Sequence, residues 1–128
     1  MDLSGVTLIS VIGTTDRLGG AEKAFRAIAN GLRSELGLKI KVFSHLQPQE
    51  PDSDFDVTVL RNPEGASLGR LFRNLRSGLL QVEGPAILFP FQINSNMLAV
   101  GANQSLPLNR RFPTILNDRA CIDELLAS

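Results

Sequence analysis

Seven consecutive residues near the N-terminus, Val6-Thr7-Leu8-Ile9-Ser10-Val11-Ile12, carry no charge and do not alternate apolar with polar. A strand of this kind has no side that tolerates water, so it must sit in the middle of a sheet with a layer on each face, as central strands of parallel sheets do. The residues after it fit that demand. Gly13-Thr14-Thr15-Asp16-Arg17-Leu18-Gly19-Gly20 reads as a loop in which glycine allows backbone conformations and close approaches that a β-carbon would block. From Ala21 onward, Ala24, Phe25, Ile28, Ala29, Leu32 and Leu36 recur on one face of a 3.6-residue helix, and Gly37 stands where a left-handed terminating residue belongs. Gly31 lies inside this helix at a cost of about 1 kcal/mol relative to alanine. That cost predicts close packing of the helix on the sheet at Gly31.

The strand-helix alternation continues. Leu38 to Ser44 reads as a second strand with one wetter face, Gln47 to Asp54 as a surface loop rich in proline and acid, and Phe55 to Leu60 as a short third strand. Leu68, Leu71, Phe72, Leu75 and Leu79 form the apolar stripe of a second long helix, with Arg70, Arg73 and Arg76 on a solvated side and Gly84-Pro85 ending it. Ala86 to Phe91 is a fourth strand. Asn94-Ser95-Asn96 can cap a third helix that buries Met97, Leu98, Gly101 and Ala102, and Thr114 to Asn117 is a fifth strand between Pro113 and a helix beginning at Ala120. Such alternation gives right-handed βαβ units. The expected fold is therefore α/β: a doubly wound, mostly parallel Rossmann-like sheet with helices on both faces. At ~100 to 200 residues per domain, residues 1–128 make one domain. Ligands of such sheets bind beyond the carboxyl ends of the strands, which ranks residues 13–20, His45, residues 92–96 and residues 117–119 as the functional rim.

Composition removes several classes of function. Thirteen Lys and Arg balance thirteen Asp and Glu, so no global field draws in a nucleic-acid backbone, and nucleic acid is not an expected partner. Tryptophan and tyrosine are absent and seven phenylalanines supply all aromaticity, which weakens any proposal based on stacking bases or sugars. Cys121 and His45 are the only residues of their types. They form no intramolecular disulfide and no zinc site without unusual carboxylate help, so no metal is expected and the compartment is read as cytoplasmic. No basic segment precedes the first apolar stretch, which is too short to span a bilayer. Cys121 itself reads as a small apolar residue.

The glycine-rich loop matches neither phosphate-binding pattern. It lacks the Gly-x-x-x-x-Gly-Lys-Ser/Thr of a P-loop. The spacing of Gly13, Gly19 and Gly20 is not that of a dinucleotide fingerprint, and the second strand ends at Ser44-His45 without the acid that would hold a ribose. What remains is a double glycine at a helix N-terminus, where free N–H groups and the helix dipole favour an anion such as a diphosphate. The alternative is that the glycines serve only the tight turn.

Val11-Ile12-Gly13-Thr14, then Arg17-Leu18-Gly19-Gly20-Ala21-Glu22-Lys23, then Ala29-Asn30-Gly31-Leu32 and Gly37 before a Lys-Val-type strand, resemble the start of bacterial retaining glycosyltransferases built from two Rossmann-like domains, the GT-B type of the group 1 superfamily. Pro85 to Ala99 is similar to that family's apolar strand, polar turn and small-residue helix. Pro113 to Arg119 is similar to its next strand, with Asp118-Arg119 where the family often has a Glu-Arg or His-Asp pair. The resemblance covers nearly the whole chain and only the first part of the family's N-terminal domain.

That resemblance implies an acceptor-side domain of a metal-independent transferase, truncated at its C-terminal end and inactive alone. It would use a nucleotide-diphosphate sugar as substrate with no further cofactor, and pass the sugar to a glycan or lipid-linked acceptor, as in cell-surface polysaccharide synthesis. The missing C-terminal Rossmann-like domain, which holds most of the donor and the family's paired glutamates, is an implied partner. Gly19, Gly20 and Glu22 would face the donor diphosphate, while Gln92, Asn94, Asn96, Asn117, Asp118 and Arg119 would line the acceptor side; no catalytic residue is assigned. Glu22 equally suits a helix dipole, and the pair Asp118-Arg119 equally suits a cap or ion pair. His45 could titrate near neutrality or be an inert loop residue. The arginine stripe is a solvated face or a peripheral contact with anionic lipid. A stand-alone flavodoxin-like or Rossmann-like binding module without catalysis is the competing reading.

Overall fold

A computed structural model describes residues 3–12, 20–45, 55–60, 68–91 and 93–115, and for residues 20, 21, 68 and 93–96 only the course of the backbone. The elements are β1 (Thr7–Ile12), α1 (Gly20–Leu36), β2 (Lys39–Ser44), β3 (Asp56–Val59), α2 (Leu68–Gln81), β4 (Ala86–Leu88) and α3 (Ile93–Gln104), followed by a short 3-10 turn at Leu108–Arg110. The four strands form one sheet in the order β3-β2-β1-β4, and every pairing is parallel. This is the predicted doubly wound, Rossmann-like arrangement.

The apolar first strand is central, as its composition requires. Ile9 stands between Lys41 of β2 and Leu88 of β4, and Leu8, Ile9, Val11 and Ile12 are all buried. Alternate residues serve opposite layers. Leu8, Ile12, Ile40 and Val42 pack with Phe25 and Ala29 of α1, whereas Ile9, Val11, Phe43 and Leu88 pack with Leu75 and Leu79 of α2 and with Leu98, Ala99 and Ala102 of α3. A fully buried side chain of this size contributes about 1.5 to 3 kcal/mol. The division of layers follows from handedness: β2 and β4 flank β1 on opposite sides, so right-handed crossovers to each place their helices on opposite faces.

The fourth strand pairs beyond its regular span. Phe89 and Phe91 donate backbone bonds to Ile9 and Val11 at 2.7 and 2.8 Å, so the predicted stretch to Phe91 follows β1 throughout. The fully buried Ser10 hydroxyl donates to the Phe89 carbonyl at 2.8 Å. The expected fifth strand begins on the far side of β4: Leu88 N donates to the Pro113 carbonyl at 2.8 Å, and Ile115 N donates to the Leu88 carbonyl at 2.9 Å. Buried Asn103 holds this return, its amide donating to Phe112 O at 2.9 Å and its carbonyl accepting from Phe112 N at 2.9 Å.

Several expectations change. Gly37 has the left-handed φ of 74° foreseen for a helix terminator, but Gly31 is not a packing glycine, since a β-carbon there would meet nothing within 4 Å. The close approach is at Gly78 of α2, where Phe43 fills the space a side chain would need. Met97, expected to bury, is 72% exposed because it lies on the outer side of α3. α3 begins at Ile93, so Asn94 to Asn96 fall within its first turn rather than ahead of it. Arg76 is half-buried and donates from Nε to Ser105 Oγ at 3.1 Å, joining α2 to the end of α3 instead of facing only solvent. The expected loop at 47–54, the strand residues 116–117 and the helix from Ala120 with Cys121 lie outside the described residues.

Candidate functional site

Sequence order and spatial order diverge at one place in this sheet. The chain steps from β1 to β2 in one direction and from β3 across to β4 in the other, so the crevice between the carboxyl ends of β1 and β4 is a topological switch point. β1 ends there at Ile12 and α1 opens at Gly20, whose first-turn N–H groups have no partner within the helix. Glu22 is half-buried in that first turn, where its carboxylate faces the positive end of the dipole.

The neighbouring strand ends are tied together by backbone bonds. His45 N donates to the Ile12 carbonyl at 2.9 Å, and Leu60 N donates to the Ser44 carbonyl at 2.8 Å. These bonds hold the ends of β1, β2 and β3 at one level. His45 is partly exposed, and burial pushes its imidazole below the ordinary value of 6.5. The neutral ring is the favoured form near physiological pH.

Three phenylalanines support the rim from below. Phe25 of α1 lies 5.5 Å from Phe55, just ahead of β3, and 5.9 Å from Phe91 at the end of β4, with the rings tilted in both pairs. Phe89 meets Phe91 at 6.0 Å, and the guanidinium groups of Arg26 and Arg33 lie 5.4 and 5.6 Å from the Phe55 ring. Tilted aromatic contacts at these distances add to simple burial and restrict motion. Their joint role escaped sequence reading, although each phenylalanine stands beside a strand or helix end on the α1 side.

Of the predicted site residues, the structure brings α1's opening at Gly20, Glu22 and His45 to the carboxyl end of the sheet. Asn94 and Asn96 lie in the first turn of α3, which follows β4 at the same end. Gly19, Gln92, Asn117, Asp118 and Arg119 lie outside the described residues. Among the described residues no three His, Cys, Asp or Glu side chains gather as a metal would require, and no helix is long and apolar enough to cross a membrane.

The described cavities open elsewhere. A groove of about 450 Å³ runs between the neighbouring strands β2 and β3 and the end of α2, lined by Lys39, Lys41, Phe43, Asp56, Gly78 and Glu83. Its charge is internally matched: Lys41 Nζ lies 3.2 Å from Asp56 Oδ1, donates to Thr58 Oγ1 at 2.6 Å and stands 5.4 Å from the Phe43 ring centre. A second hollow of about 500 Å³, lined by Glu83, Pro85 and residues 109–113, lies at the foot of β4. The groove's sequence signal was the lysine alternation in β2, which had indicated only a wetter strand face. No family model matches this chain, and its comparison with curated proteins and with solved structures returns no match.

Proposed function

We propose that this chain is the acceptor-side Rossmann-like domain of a retaining, metal-independent glycosyltransferase that takes sugar from a nucleotide-diphosphate donor. The observation that carries this reading is the opening of α1 at Gly20, the second residue of Gly19-Gly20, beside the switch point between β1 and β4. An anion there meets first-turn N–H groups that have no partner within the helix and the positive end of a seventeen-residue helix. Gly19, Gly20 and Glu22 would attend the diphosphate. Gln92, Asn94, Asn96, Asn117, Asp118 and Arg119 would line the acceptor side for a glycan or lipid-linked sugar acceptor in the cytoplasm.

A dipole alone supplies about 0.3 to 2 kcal/mol, whereas millimolar affinity needs about 4 kcal/mol. A second Rossmann-like domain must therefore supply the sugar and base contacts and close the site against water. The competing reading, a binding module without catalysis, draws on the cavities, both of which lie away from the rim residues.

The test is a titration of the ¹⁵N-labelled chain with UDP-glucose and GDP-mannose to about 10 mM, a range that detects even millimolar binding. The donor reading expects the largest amide shifts at Gly20 to Lys23, with Lys39 to Lys41 unmoved. Shifts confined to Lys39, Lys41 and Glu83 would support the module, and an unmoved α1 N-terminus would overturn the donor site.

A further inference from the structure

Two consecutive arginines close the end of α2 and the exit from α3. Arg110 donates from Nη2 to Leu80 O at 2.5 Å, and Arg111 donates from Nε to Leu106 O at 3.0 Å and from Nη2 to Gln104 O at 2.9 Å. Carbonyls at a helix end need partners, so these bonds also fix the two side chains. Each guanidinium carries five N–H donors, of which Arg110 spends one and Arg111 two on these carbonyls. Among the described residues neither meets a carboxylate within ion-pair distance. The pair is therefore oriented by neutral partners and keeps its charge and most of its donors.

The backbone beneath them is equally constrained. Pro107 and Pro113 bracket the segment, Arg110 N donates to Pro107 O at 2.8 Å, and Asn103 holds Phe112 through both its N–H and its C=O. Across from this turn, Thr7 N donates to Pro85 O at 3.1 Å and Val82 N donates to Leu79 O at 3.2 Å, fixing the connection from α2 to β4. Between these two walls lies the hollow of about 500 Å³ at the foot of β4, lined by Glu83, Pro85, Asn109, Arg110, Arg111 and Phe112 among others.

We propose that this hollow holds a soluble phosphate monoester, with the phosphate on Arg110 and Arg111 and the organic body between Asn109 and Glu83. Two guanidinium forks match a dianion with three terminal oxygens, whereas a carboxylate, with two oxygens and one charge, fills only one fork. The hollow is far larger than a bare phosphate and falls within the range of small-molecule pockets, ~300 to 1,000 Å³, so the ligand carries an organic body. Glu83 orients that body: its carboxylate repels the phosphate and accepts hydroxyl groups at the other end, where the Asn109 amide both donates and accepts. Walls already held in place lose little freedom on binding. The site lies at the opposite end of the sheet from the opening of α1, and the inference does not depend on the transferase reading.

The test is an NMR titration of the ¹⁵N-labelled chain at constant ionic strength with glycerol 3-phosphate, inorganic phosphate and acetate to ~20 mM, a range that reaches millimolar affinity. Glycerol 3-phosphate should give saturable shifts at the Asn109 to Phe112 amides and at the arginine Nε–H signals, inorganic phosphate weaker ones, and acetate none that saturate. UDP-glucose, whose two phosphates carry one charge each, should leave these amides unmoved, which separates this site from any response at Gly20 to Lys23. Arg110→Gln keeps a donor for Leu80 O and should weaken glycerol 3-phosphate binding at least about tenfold. Asn109→Asp, on an exposed residue outside the carbonyl bonds, should weaken it by a similar factor through charge repulsion. Arg73→Gln makes the same charge change as Arg110→Gln on an exposed residue that lines neither cavity and should bind as the natural chain does. Circular dichroism checks that each variant folds. The absence of saturable shifts at these amides, equal affinity for glycerol 3-phosphate and inorganic phosphate, an equal response to acetate, or unchanged affinity in folded Asn109→Asp would each overturn the proposal.

Discussion

The ring of Phe43 stands where the β-carbon of residue 78 would have to be, its Cζ 2.8 Å from that point and its Cε1 nearer still. Phe43 is fully buried in β2 and Gly78 lies in the last turns of α2, so the absent side chain lets helix and sheet meet.

Gly78→Ala should therefore destabilise the protein. Alanine improves helix propensity by about 1 kcal/mol, but a methyl group forced against a buried ring costs about 1 to 3 kcal/mol. A lower urea midpoint with an unchanged slope is the expected result. An unchanged or raised midpoint would mean that Phe43 rotates away at little cost.

At Gly31 the same substitution has the opposite sign. The position is helical and open to a β-carbon, so Gly31→Ala should gain about 1 kcal/mol from propensity alone. Measured beside Gly78→Ala, it separates local from tertiary control. A loss of stability at Gly31 would contradict the geometry of α1 described above.

Asn103 offers a third test. Its side chain satisfies both backbone groups of Phe112 and also donates to Thr114 Oγ1 at 3.2 Å. Asn103→Ala should cost about 2 kcal/mol, because it strands partners that lie partly out of water. Hydrogen exchange at the Ile115 amide should accelerate more than at Phe89, which pairs with the central strand. Equal acceleration would show that the clamp is not local.

The lowered pKa of His45 fixes the direction of a pH effect. The folded state binds this proton less readily than the unfolded chain, so the stability is fully present above the unfolded value of 6.5 and declines as pH falls through the folded value. Thermal midpoints of the natural chain and His45→Gln, compared from pH 8 to pH 5, should diverge on acidification, with the natural chain losing more. Parallel curves would remove His45 from the acid response.

The layers were legible because burial on two faces leaves a seven-residue signature at Val6 to Ile12, and burial on one face leaves a helical period at Ala21 to Leu36 and Leu68 to Leu79. Such periods report which side of an element is dry. They do not report which partner comes near. Gly31 and Gly78 look alike in a helix, and only the position of Phe43, thirty-five residues before Gly78, distinguishes them. Met97 was misread for a related reason: Met97 to Ala102 in the middle of α3 carry no polar side chain, so their composition does not say which side is outermost. The carboxyl-end rim was legible as a location through chain order, with Gly20, Glu22 and His45 found there. Its chemistry was less so, because the aromatic support from Phe25, Phe55 and Phe91 brings together three distant parts of the chain.

The central place of β1 also has a consequence for the order of events during synthesis. Its partner on one side, β2, follows within the next few dozen residues, but β4 does not begin until Ala86. Until the ribosome has delivered that segment, the nascent sheet keeps a bare flank of N–H and C=O groups beside some of the most water-averse side chains in the protein. Such a flank is a template for unwanted strand pairing. The residues that close it from the distant side include Phe89 and Phe91, which donate to Ile9 and Val11, and anything that delays their arrival, such as slow translation between the two halves, prolongs the interval in which chaperones and neighbouring chains compete for that edge.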